Sequence, residues 1–71
     1  MLGGEVMTYS TTRRLLDATD NMSLARVEEH LDRAPTPFHA RCIEFLIMYK
    51  GGLIDRQSAA VVIQGHLRSA K

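Results

Sequence analysis

Apolar positions along this chain recur mostly at steps of three and four, the period of helices lying on a shared core. Leu24, Val27, Leu31 and Ala34 draw one narrow stripe along "LARVEEHLDRA", and Ser23 stands ahead of it as an N-cap. An earlier helix is expected to start after Ser10 or Thr11 and to end near Asp20 and Asn21. It turns Leu15 and Leu16 inward and sets Arg13 one turn before Asp17, a spacing that suits an ion pair. Near the end of the chain Asp55 caps a further helix through about Ser69, with Ala59, Val62, Ile63, Leu67 and Ala70 on its inner side and Val61 off the stripe. β-Branched residues cluster in "AAVVI", but the apolar positions continue at helical spacing and no second strand candidate exists to pair with it. The segment reads as helix.

The sharpest boundary is "APTP": Pro35 disfavours helical geometry at Ala34, and Thr36 with Pro37 restarts a helix as an N-cap followed by first-turn proline. That helix, Pro37 to Lys50, ends at Gly51 and Gly52, one of which should take the left-handed C-cap conformation. It contains the stretch "CIEFLIMYKGG", apolar on nearly every side. On a helical wheel Phe38, Cys42, Phe45, Leu46 and Tyr49 form one stripe, while Ala40, Ile43 and Ile47 form another almost opposite. Only Arg41 and Glu44, with Met48 beside them, break the circuit. Two stripes require cover from two directions. Either the helix is the centre of the bundle, or one stripe meets a second chain.

The whole is an all-α chain, a compact bundle of three to four short helices with a helix-turn-helix-like arrangement. Residues 1–9, with Gly3 and Gly4, are expected to be a flexible end, and 10–71 a single helical domain. At 71 residues the domain buries only about 60% of its unfolded surface, so its core is small. With a single cysteine, Cys42, it has no internal disulfide to reinforce it, and oligomerisation is the usual remaining support. A homodimer is therefore expected. The lone thiol also fits a reducing compartment, hence a cytoplasmic location.

Charge narrows the partners. Nine Lys and Arg against eight acidic residues give a net +1, which offers no bulk attraction to phosphate or to a membrane surface. The run "FLIMY" is too short to span a bilayer, and "MLGGEVMTYS" lacks the basic start and apolar stretch of a secretory signal. His30, His39, Cys42 and His66 carry ligating atoms, yet without the closely paired spacing of structural zinc sites. No activated nucleophile or phosphate loop is visible: Arg41 points away from Cys42 on the wheel, and "KGG" reads as a helix stop. Neither enzyme activity nor a cofactor is expected.

Two short resemblances give the alternatives. "SLARVEEHL", with Ser23 at the cap and Val27 and Leu31 at four-residue steps, resembles the recognition helix of helix-turn-helix and winged-helix regulators. That resemblance implies a DNA-binding transcriptional regulator using Arg26 and Arg33, although Glu28 and Glu29 would stand close to the phosphates. "AAVVIQGHLR", with Ile63, Gln64 and Arg68 at matching positions, is similar to the opening half of a calmodulin-binding IQ motif, and implies a calmodulin-type partner for the C-terminal helix. The glycine and the later basic residue of that motif are missing.

The reading favoured by the residues themselves is a small non-enzymatic protein-interaction module, a homodimeric regulatory adaptor or inhibitor. Its size and plainness suggest the kind that phages and mobile elements encode, one that binds a target protein and occludes it. The interface is assigned to Arg41, Ile43, Glu44, Phe45, Ile47, Met48 and Tyr49, with Met48 and Tyr49 as anchors and the Ala40/Ile43/Ile47 stripe facing the other chain.

Overall fold

Three short polar side chains start three of the helices. Ser23 Oγ accepts the Arg26 N–H at 3.2 Å, Thr36 Oγ1 accepts the His39 N–H at 3.2 Å, and Asp55 Oδ1 accepts the Ser58 N–H at 2.7 Å. Each satisfies an amide that the first helical turn leaves without a backbone partner. The last bond also holds the Asp55 carboxyl below its ordinary range, chiefly through the Ser58 backbone N–H. In the computed structural model, which describes residues 2–69 and the side chains from residue 9 onward, the chain forms helices α1 (Leu2–Asp20), α2 (Leu24–Asp32), α3 (Pro37–Lys50) and α4 (Arg56–Arg68). No strand occurs among the described residues. Nor is any helix long and apolar enough to cross a membrane.

Two boundaries differ from the sequence pattern. Helix α1 begins at Leu2, well ahead of Ser10 and Thr11. Helix α2 stops at Asp32, short of Ala34. There the Arg33 and Ala34 amides reach back only three residues, to the His30 and Leu31 carbonyls, and the tightened last turn clears the way for Pro35. Ala70, expected on the α4 stripe, lies outside the described residues.

Helix α3 ends in a two-bond cap. Gly52 N–H donates to the Tyr49 carbonyl at 3.1 Å and Leu53 N–H to the Met48 carbonyl at 2.9 Å. This is the Schellman pattern, and Gly52 takes the left-handed φ of 83° that it requires.

The core consists of Leu16 from α1, Val27 from α2, Cys42 and Leu46 from α3, and Ala59 and Ile63 from α4. Thr12 and Thr19 are as deeply buried, one turn to either side of Leu16. Thr19 tolerates this because its hydroxyl donates to the Leu15 carbonyl at 2.7 Å, the back-bond open to a helical threonine. Helices α2 and α3, α1 and α4, and α3 and α4 pack closely, with a lesser contact between α1 and α3. Helix α2 is thus attached through α3, and α1 does not close against it.

This arrangement explains the all-round apolar character of α3. It is the helix that every other one packs against, and none of its apolar side chains is among the exposed large hydrophobics. Ile43 and Ile47 of the second stripe pack against the core from its edge. Arg41 and Glu44 face solvent and pair at 3.4 Å.

Candidate functional site

Because α2 packs chiefly on α3, an open cleft of about 400 Å3 remains between α1 and α2. One wall is Thr11, Leu15, Ala18 and Met22, which recur every three or four residues along α1 and so share one face. Val27 and His30 of α2 form the opposite wall, and Cys42, Ile43 and Leu46 of α3 form the floor. Phe38 and Leu67 close one end. The lining is almost wholly apolar, and several polar groups in it are already engaged. Thr19 bonds its own helix, and His39 Nδ1 lies 2.9 Å from Thr36 Oγ1.

Phe38 is held in place by a ring stack. His66 lies 4.1 Å from it, centroid to centroid and nearly parallel, and His66 Nε2 stands 2.9 Å from the Phe38 carbonyl oxygen. Phe45 meets the other side of His66 edge-on at 6.0 Å. This aromatic group ties the start of α3 to the end of α4 and stiffens that end of the cleft.

The far flank is closed by charge. Arg56, the first residue of α4, donates from Nη2 to Asp17 Oδ1 at 2.6 Å and from Nη1 to Asp20 Oδ2 at 2.7 Å. Tyr49 adds its hydroxyl to Asp20 Oδ1 at 2.6 Å, and Lys50 Nζ approaches the Asp20 carbonyl at 3.4 Å. The Tyr49 hydroxyl, followed by the Arg56 and Lys50 charges, holds the Asp20 carboxyl below its ordinary range. In return the Asp20 carboxylate raises the Tyr49 phenol. Asp17 therefore pairs with Arg56, not with Arg13 as its spacing suggested.

The seven residues assigned to an interface fall into three groups. Ile43 lines the cleft. Phe45 and Tyr49 are engaged within the chain, by His66 and by Asp20. Arg41 and Glu44 lie on the outer face, with Ile47 and Met48 half-buried. Arg26, Glu28 and Glu29 are exposed on α2, and Arg33 is exposed at its C-cap. Of the IQ-like positions, Ile63 is fully buried, Gln64 half-buried and Arg68 exposed.

Burial pushes the Cys42 thiol up from its ordinary value, which disfavours the thiolate. His30 and His39 line the same cleft, but no group of three or more metal-ligating side chains gathers among the described residues.

Sequence reasoning missed the α1 wall. Thr11 and Ala18 are small and unremarkable, yet with Leu15 and Met22 they complete a helical stripe that was there to be read. Comparison with protein-family models, curated proteins and solved structures finds no match to this chain.

Proposed function

We propose that this chain is a small non-enzymatic protein-interaction module, a regulatory adaptor or inhibitor that holds a partner protein in the cleft between α1 and α2. The open apolar cleft carries this reading. Apolar surface that a chain leaves accessible in a concave, largely preformed groove is where a partner gains most from excluding water. Burial of the Cys42 thiol disfavours its nucleophilic form, which fits the non-enzymatic part of the proposal.

Ala18→Glu tests it, because Ala18 is exposed on the cleft wall and a glutamate there is compatible with the helix. The native chain should retain a binding protein from its source extract that the variant, with an unchanged circular dichroism spectrum, does not. Equal retention by both forms would remove the cleft from the function.

Self-association belongs to the same proposal. Leu53 and Val61, 75% and 66% exposed, are apolar side chains that neither the core nor the cleft employs. Sedimentation that shifts to the monomer on Val61→Glu would support a dimer through this face. A native chain that is monomeric at micromolar concentration would remove the dimer and leave the module.

A further inference from the structure

We infer that the cleft takes an amphipathic α-helix of about three turns from a partner protein, with acidic residues flanking its apolar stripe. The inference rests on the interaction-module reading and names the chemistry of the partner.

Length comes first. The α1 wall runs from Thr11 to Met22, about 16 Å of helix at about 1.5 Å per residue, and that length matches about three turns of a second helix. An apolar floor between two helical walls is the form in which one helix accepts the i, i+4 and i+7 side chains of another. A small molecule is poorly served here. Small-ligand sites orient their ligand with a few convergent polar groups, whereas here Thr19 and His39 are already engaged and the other two polar side chains, Thr11 and His30, stand on opposite walls.

Charge supplies the rest. On α1 the charged residue nearest the cleft wall is Arg14, one turn from both Thr11 and Ala18. On α2, Arg26 and Arg33 stand one turn to either side of His30 and share its edge. Both walls therefore carry cations at their rims. Among the acidic residues, Glu28 and Asp32 turn to the far side of α2 and Asp17 is bound by Arg56, while Glu29, one turn from both Arg26 and Arg33, offsets one of their two charges and leaves that rim with a net positive charge. None of the ion pairs found among the described residues involves Arg14, Arg26 or Arg33. A helix entering between these rims meets positive charge on both sides, so acidic flanks are attracted and basic flanks repelled.

The test is selection from a displayed library of 14-residue helical peptides. Apolar residues are fixed at i, i+4 and i+7, and the flanking positions are randomised. Peptides selected on the native chain should be enriched in Asp and Glu at the flanks. They should bind at least tenfold more weakly to Ala18→Glu and to the Arg14→Glu/Arg26→Glu double variant, and more weakly as salt rises. The double variant should itself select basic flanks. Enrichment of neutral or basic flanks on the native chain would overturn the inference, as would binding indifferent to Ala18→Glu. Failure to select any peptide would also overturn it. In each such case the module reading stands if the extract partner still depends on Ala18, and falls with the inference if it does not. Circular dichroism of each variant separates lost binding from lost folding.

Discussion

Helix α1 has two flanks, and they are completed in different ways. Against α4 it buries Thr12 and Leu16, and its last turn is clamped by Arg56, Tyr49 and Lys50. Toward α2 it presents Thr11, Leu15, Ala18 and Met22 to an open cleft. The same helix therefore closes with polar groups on one side and stays apolar and open on the other. Polar clamps suit a permanent contact, because each donor has a fixed acceptor and little is gained by opening it. An apolar wall with cations at its rim has no such partner among the described residues. Its free energy is realised only when another surface covers it.

The largest expected effect tests whether the closed flank carries the stability. Ile63 is fully buried where α4 meets the core, so Ile63→Ala should cost about 2–5 kcal/mol. In a domain this small that lowers Tm by roughly 10 °C or more, read by thermal circular dichroism. Ile43→Ala removes the same atoms from the half-exposed floor of the cleft and should cost less than half as much. Equal losses would mean that the cleft is as tightly packed as the core, and the contrast between the flanks would disappear.

The parts of this contrast that were legible in the sequence are those decided within a few residues. Ser23, Thr36 and Asp55 cap their helices through bonds three residues long, and Gly52 takes a left-handed position. The two stripes of α3 announced a helix covered from several directions, and the other three helices supply the cover. What required the fold was everything decided at long range. Arg56 reaches Asp17 and Asp20 across 39 and 36 residues, and no local spacing favours that choice over Arg13. Thr12 and Thr19 read as surface residues because their hydroxyls are polar, yet a helix can satisfy such a hydroxyl from its own backbone. The cleft depends on α1 and α2 standing apart, which a periodicity along either helix does not contain.

A smaller effect separates the flanks by pH. The Asp20 carboxyl has a depressed folded-state pKa, so its contribution to stability is present above the unfolded value near 3.9 and is lost as pH falls through the folded value. Asp20→Asn should therefore lower Tm at pH 7, with the gap to the native chain narrowing as pH falls below the ordinary carboxylate range. The cleft residues should take no part in this. A cleft variant that adds no titrating group, such as Ile43→Ala, ought to keep a constant interval from the native chain over the same range, and a gap that stayed constant for Asp20→Asn would remove the clamp as the charge-dependent element.

The smallest expected effect leaves stability untouched and reads the open flank directly. Cys42 lies in the cleft floor, and its burial raises the thiol pKa, so both access and thiolate fraction are reduced. Iodoacetamide at pH 8 should alkylate the native chain several-fold more slowly than the chain unfolded in urea. The two causes separate on titration. If the shifted thiol dominates, the native rate climbs toward the unfolded rate as pH rises; if access dominates, the ratio stays constant. A helical peptide seated in the cleft should slow the reaction further and move the pH profile upward, because it covers the sulfur and deepens the burial that raises its pKa. Alkylation as fast as in urea would mean that α2 swings clear of α3 as well as of α1, and the cleft would then be no preformed groove.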